Sequence, residues 1–361
     1  MKAVVLVGGE GTRLRPLTFT TPKSLLPIAN QPFLERQLAW LESHGVDEVV
    51  LSLGYLPDAF TVHFPEGRCG GIRLTYAVEP KPLGTAGGIR FAADGIDDVF
   101  IVCNGDILTD FDLSAMLRFH ETSAAQATIA LTQVDDPSAF GVVPTRDDGE
   151  VVGFIEKPPR DLAPTNWINA GIYILEPGLM ERIPKRVNVS IERETFPRMV
   201  ETRNCLYAWN GAGYWLDMGT PAKYLQAHAD LLAGTVGALP APGAVEGPAG
   251  VWTQGIADVD PEARLTGPVL VGPGARIEAG ASVTASAVGA GAVVGAGARV
   301  ERSVVFAGAQ VSERAIVTDS VLGADAILKP EVVLTDVTLI GAGVHIAAGT
   351  RISGGRVPPA E

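Results

Sequence analysis

The chain has 361 residues, 47% of them apolar and 19% charged, a length that calls for two compact parts and a composition that excludes a disordered majority. A formal net charge of −13 argues against a nucleic-acid partner, which would require a basic face. Three widely spaced cysteines, Cys69, Cys103 and Cys205, form no CxxC pair, so neither a disulfide framework nor a zinc site is indicated and a reducing cytoplasm is expected.

The chain opens on the apolar run Ala3-Val4-Val5-Leu6-Val7, too short for the core of a signal peptide, and no later stretch approaches the roughly 20 apolar residues of a membrane span. The run reads as a buried strand that empties into Gly8-Gly9-Glu10-Gly11-Thr12-Arg13-Leu14-Arg15-Pro16-Leu17-Thr18, with Pro22-Lys23 downstream. Glycines without a Cβ let backbone amides approach phosphate oxygens, and Arg13 and Lys23 add the charge that amides lack. The segment is therefore built to hold a polyphosphate. It is not a dinucleotide fingerprint, because no third glycine opens a helix and Pro16 follows closely. Nor is it a Walker loop, since Lys23-Ser24 follows Pro22 rather than glycine.

Strands alternate with helices through the first half, which predicts an open, mostly parallel, Rossmann-like α/β sheet. Pro32 starts a helix carrying Phe33, Leu34, Leu38 and Leu41 at helical spacing until Gly45. A strand over 48–53, a helix over 57–64 and a strand over 73–78 lead to a second glycine loop, Pro82-Leu83-Gly84-Thr85-Ala86-Gly87-Gly88. The continuous apolar run Val99-Phe100-Ile101-Val102-Cys103 predicts a central strand buried on both faces. It delivers Asn104-Gly105-Asp106 at its carboxyl end, where open α/β sheets bind ligands. A helix over 113–121, strands over 127–134, 140–143, 151–156 and 168–175, and a helix over 224–232 complete this part.

Residues 233–250 are rich in glycine and proline and read as linker, taken here as 233–258. From Val259 an aliphatic residue recurs every six positions. Rows begin at Val271, Val288, Val305 and Leu322, 17 apart, with the step to Ile340 lengthening to 18. Three short strands per turn, with Gly, Ala or Ser at the corners, predict a parallel β-helix of triangular section over 259–361.

The pattern GGxGTRLxPLT with Pro22-Lys23 resembles the signature of sugar-1-phosphate nucleotidyltransferases. Glu156-Lys157-Pro158, Asn169-Ala170-Gly171, Ser190-Ile191-Glu192-Arg193-Glu194-Thr195-Phe196-Pro197 and Trp215-Leu216-Asp217-Met218-Gly219-Thr220-Pro221 follow in the order of the mannose-1-phosphate guanylyltransferases. The resemblance covers nearly the whole chain, including the hexapeptide tail, and implies a catalytic domain over 1–232 followed by a left-handed parallel β-helix that assembles a homo-oligomer. It also implies GTP and mannose 1-phosphate as substrates and magnesium as the cofactor.

Such a reaction needs no general base, because the sugar phosphate is already largely ionised near neutral pH. Catalysis is then positioning and charge neutralisation, so the residues to seek are cations and metal ligands. By the resemblance, Arg13 and Lys23 hold the β- and γ-phosphates, and Lys157 holds the sugar phosphate. The nucleotide-binding set is Leu6, Gly8, Gly9, Gly11, Thr12, Arg13, Gly84, Thr85 and Asp106, with the Gly84 loop framing base and ribose. The sugar-phosphate set is Gly141, Glu156, Lys157, Asn169 and Gly171. Magnesium takes only one or two protein carboxylates, and Asp106 and Asp217 are the pair. Alone, Asn104-Gly105-Asp106 is more often a turn, and Asp217 can be read as merely the cap of a helix beginning near Pro221.

Other readings are a thymidylyl- or uridylyltransferase acting on glucose 1-phosphate, a non-catalytic regulatory subunit, and an acyltransferase built on the β-helix. The last needs a histidine in an extruded loop, whereas the repeat tolerates no insertion and offers only His345. His44, His63, His120 and His228 read as packing or surface residues, and Cys103 as an inert strand residue.

Overall fold

The computed structural model describes residues 1–202 and 205–360; Glu361, the last residue of the predicted β-helix, lies outside them. Contacts divide the chain into two units, Met1–Gly9 with Leu34–Trp215 and Glu10–Phe33 with Leu216–Glu361. Residues 10–33 thus group with the C-terminal part, a grouping that a division by chain order does not contain.

The first unit is built on a mixed sheet. Its main path runs Ile155–Glu156, Gly141–Val142, Trp167–Leu175, Phe100–Asn104, Lys2–Leu6, Glu48–Leu53, Ile72–Val78 and Arg68–Cys69. Lys2–Leu6 pairs in parallel with both Glu48–Leu53 and Phe100–Asn104, while Trp167–Leu175 runs antiparallel to Phe100–Asn104 and to Ala127–Gln133. Val4, Val5, Phe100, Ile101, Val102 and Cys103 are fully buried, as continuous apolar runs in a sheet covered on both faces must be. Burial pushes the Cys103 thiol far up, which keeps it unreactive.

Three elements differ from expectation. The glycine-rich 82–88 stretch is the start of a helix, Gly84–Ala92. A Cβ at Gly87 would lie 2.6 Å from the Val187 carbonyl oxygen, and one at Gly88 would lie 2.6 Å from Glu79 Oε1. These glycines serve close packing rather than a loop. The strand Leu206–Asn210 has no counterpart in the sequence reading; it pairs in parallel with Ala127–Gln133. Of the predicted strand over 151–156 only Ile155–Glu156 forms, with Val151 in an isolated bridge to Thr145.

In the second unit three parallel sheets stack short strands every 17 or 18 residues. One ladder runs Thr253, Val271, Val288, Val305, Leu322, Ile340 and Val357. The repeated aliphatic positions from Val271 to Ile340 are at most 1% exposed, each contributing about 1.5–3 kcal/mol of apolar burial. Part of the predicted linker is itself ordered, since Ala244–Glu246 and Val251–Gln254 pair onto this stack. Turn-rich composition hides strands of three or four residues. Among the described residues, no helix is long and apolar enough to cross a membrane.

A column of hydroxyls runs along one corner. Ser303 donates its amide to Ser286 Oγ at 3.0 Å, while its own Oγ donates to the Glu301 carbonyl and accepts the Ser320 amide at 3.1 Å. Ser286, Ser303 and Ser320 are buried. Ser303→Ala strands the Ser320 amide without this acceptor, and a loss of about 1–3 kcal/mol is expected. A guanidinium unfolding midpoint equal to that of the wild type would show that the column contributes nothing.

Candidate functional site

In the first unit the Lys2–Leu6 strand ends at the glycines. The Gly8 carbonyl accepts the Tyr55 amide, and a Cβ at Gly8 would meet the Gly54 nitrogen at 3.1 Å, so two backbones pass in contact. Beside it the Asn104-Gly105-Asp106 turn links Phe100–Asn104 to Ile107–Thr109, and the Gly105 amide bonds the Leu6 carbonyl at 2.9 Å. Leu6 and Asn104 are register partners, so sheet pairing fixes Asp106 next to the glycine strand. Gln37, which carried no sequence signal beyond its helical phase, is buried and donates Nε2 to the Asn104 carbonyl at 2.8 Å.

The register of Trp167–Leu175 against Ala127–Gln133 slips between Asn169 and Tyr173, and Gly171 sits in the left-handed region at φ 74°. A bulge there re-aims side chains. Asn169 Oδ1 accepts the Gly171 amide at 2.9 Å, and its Nδ2 donates to the Tyr173 hydroxyl at 2.8 Å. Burial, with the neighbouring Glu192 carboxylate, pushes the Tyr173 phenol well above its ordinary value, so it stays protonated. A Cβ at Gly171 would lie 2.6 Å from Asn104 Nδ2, so the structure brings Gly171 and Asn169 to the Asp106 turn.

Gly141 and Glu156 are paired in register, and the Phe140 carbonyl accepts the Lys157 amide at 2.9 Å. Lys157 holds a left-handed conformation, φ 50°. Its ammonium lies 3.6 Å from Glu156 Oε1, and the lysine side chain is more than half exposed. Elsewhere in this unit, Gly84, at φ 70°, packs on Val189. The Thr85 hydroxyl donates to Glu192 Oε2 at 2.7 Å and accepts the Ile191 amide at 2.8 Å. Its hydroxyl therefore ties the helix start to the Ile191–Thr195 turn, which leaves backbone groups as the part of Thr85 suited to a ligand.

The second unit carries the other candidates. Gly11 takes φ 61°, its carbonyl accepts the Thr18 hydroxyl at 2.9 Å, and a Cβ there would sit 3.0 Å from Lys23 Cβ. The loop is thereby folded so that Gly11, Thr12 and Lys23 are neighbours. Asp217 does not cap the following helix: Thr220 does, accepting the Lys223 amide ahead of Pro221 at N1. Asp217 Oδ1 instead accepts the Gly219 amide at 2.7 Å.

Gly219 is the residue that sequence reasoning missed. A Cβ on it would fall 2.5 Å from Arg13 Nη2 and 2.8 Å from Asp217 Oδ1, so a guanidinium and a carboxylate both close on the bare backbone. Gly219→Ala forces the guanidinium end aside, and a flexible side chain can swing. Turnover is expected to fall about tenfold with the melting temperature unchanged, less than a full ångström of misplacement would cost. Steady-state rates beside a thermal melt check this, and wild-type turnover would show that the crowding is without effect.

Among the described residues, no three His, Cys, Asp or Glu side chains gather as metal ligands. The aspartates supply hard oxygen donors, and a cation that completes its shell with water and phosphate fits such a sparse set.

Comparison with known proteins places these features. Residues 2–234 match the family described as Nucleotidyl transferase, and residues 265–361 match the GMPPB C-terminal domain. A mannose-1-phosphate guanylyltransferase of Mycobacterium tuberculosis is 42% identical over 289 residues, covering 79% of each chain. Mannose-1-phosphate guanylyltransferase 1 of Arabidopsis thaliana is 42% identical over 231 residues, 62% of this chain and 63% of the plant protein. The crystal structure of HddC from Yersinia pseudotuberculosis is similar at 30% identity and a TM-score of 0.55, covering 63% of this chain and 97% of that one.

Proposed function

Because the chain belongs to the nucleotidyl transferase family, we propose that it transfers the guanylyl group of GTP to mannose 1-phosphate, giving GDP-mannose and pyrophosphate. The observation that carries the reading is the 42% identity, over 289 residues and 79% of each chain, to a mannose-1-phosphate guanylyltransferase. The gathering of Arg13 and Asp217 at Gly219 agrees with it, a cation and an oxygen ligand being what a metal-bound triphosphate requires.

A phosphate oxygen of mannose 1-phosphate attacks the α-phosphorus in line, the new P–O bond forms, and the α–β bridge breaks with its electrons leaving on pyrophosphate. Arg13 and Lys23 bind the β- and γ-phosphates and neutralise the charge that grows on the leaving group. Lys157 holds the phosphate of the sugar, and Glu156 accepts hydrogen bonds from its hydroxyls. Amides at Gly8, Gly9 and Gly11 contact the triphosphate. The helix start at Gly84 and Thr85 frames the nucleoside, and Gly141 and Gly171 admit the sugar closely.

Family members generally use a divalent metal, and magnesium is the ion we assign, which Asp106 and Asp217 would hold. Magnesium supplies Lewis-acid neutralisation of the phosphates when bound. Cytoplasmic residence and a homo-oligomer joined through the β-helix complete the proposal. The test is pyrophosphate release with GTP, dTTP, UTP, CTP and ATP, each against mannose 1-phosphate and glucose 1-phosphate. A dominant GTP and mannose 1-phosphate signal is expected. Another dominant pair would keep the chemistry and change the substrates, while silence throughout would favour a regulatory subunit.

A further inference from the structure

The segment Glu10–Phe33 groups with the β-helix, and particular contacts hold it there. Pro27–Ile28 and Gln31–Pro32 form a two-stranded hairpin whose turn residues, Ala29 and Asn30, both take left-handed backbone, φ 46° and 62°. Asn30 Nδ2 donates to the carbonyl of Val288, on a β-helix strand 258 residues away, at 2.9 Å. The Ala29 amide donates to His228 Nδ1 at 3.1 Å, and the Tyr224 hydroxyl donates to the Pro27 carbonyl. A second point of support lies at Gly341 of the β-helix, where a Cβ would be 3.2 Å from Pro16 Cβ.

From this hairpin the chain leads stiffly back to the phosphate residues. The Phe33 amide bonds the Leu26 carbonyl at 3.1 Å, and the Leu26 amide bonds the Lys23 carbonyl at 3.2 Å. Leu26, Ile28 and Ala29 are buried, and Lys23 packs on Gly11 two residues before Arg13. Two rigid supports, at Pro16 and Asn30, therefore bracket the stretch that contains Lys23.

We propose that the β-helix is part of the nucleotide-binding apparatus: it holds residues 10–33 in their working shape, with Asn30 as a positioning residue for Lys23 and Arg13. This rests on the reading of Arg13 and Lys23 as phosphate ligands. The competing account is that asparagine stands at 30 only because it tolerates left-handed backbone.

Asn30→Gly separates the two, since glycine keeps that conformation and removes only the bond to Val288. The expected result is a KM for GTP, and for pyrophosphate in the reverse reaction, raised about tenfold, with the KM for mannose 1-phosphate unchanged. Amide hydrogen exchange over residues 11–26 should quicken several-fold while the β-helix strands keep their protection. Gly341→Ala, which presses on Pro16 from the β-helix side, should move the same quantities in the same direction, and it decides alone if Asn30→Gly does not fold. Wild-type KM values and exchange in the folded variants overturn the proposal. Arg13→Ala in the same assay keeps the failures apart: a loss of turnover there leaves the phosphate reading standing, and wild-type turnover removes its foundation as well.

Discussion

Arg13→Ala lowers turnover by on the order of 10² to 10³, the usual loss for one partner of transition-state charge. The expectation follows from where the guanidinium is held. Its Nη2 closes on the bare Gly219 backbone beside Asp217, while the side chain as a whole is exposed and open to a ligand. Charge on the departing pyrophosphate grows along the reaction, so the loss should fall on kcat more than on the KM for GTP. The measurement is pyrophosphate release at saturating substrates, with a thermal melt to show that the variant is folded. Unchanged turnover in a folded Arg13→Ala protein removes Arg13 from the chemistry.

Asp217→Asn keeps the turn and removes the charge. Asparagine Oδ1 can still accept the Gly219 amide that Asp217 accepts at 2.7 Å, so backbone geometry should persist. The magnesium concentration for half-maximal activity is expected to rise by on the order of 10² or more, because half of a two-carboxylate set becomes neutral. Manganese binding followed by electron paramagnetic resonance gives a readout independent of turnover, and the variant should leave the ion largely free in the presence of GTP. Wild-type manganese affinity would mean that Asp217 only shapes the turn.

Local chemistry was legible in the sequence and long-range chemistry was not. Gly8 to Lys23 could be read because glycine, arginine and lysine at fixed offsets have few other uses. The β-helix could be read because one aliphatic residue every six positions repeats through five rows, and Val271, Val288, Val305 and Leu322 are indeed stacked partners. The glycines at 84, 87 and 88 misled, since their reason lies in the Val189 and Val187 carbonyls and the Glu79 carboxylate, none of them recoverable from local pattern. Asn169 and Thr85 read from the sequence as ligand contacts, yet their side chains are engaged by Tyr173 and Glu192. Gly219 stood inside a quoted segment without a role because a glycine's role depends on what crowds it. The Asn30 to Val288 bond spans 258 residues and has no local signature at all. The buried serines did have one, a 17-residue recurrence of Ser286, Ser303 and Ser320, hidden behind the stronger aliphatic period.

That column of hydroxyls bears on how such a chain can change length over evolutionary time. Ser303 takes the Ser320 amide from the next coil and gives its own amide to Ser286 in the coil before, so a coil is interchangeable with its neighbour only as a whole. A tandem duplication of one complete coil would splice in with every hydroxyl finding its amide, and the stack would simply grow taller. A duplication out of phase would set serines over aliphatic rows and leave amides dry in the interior, an error that selection removes at once.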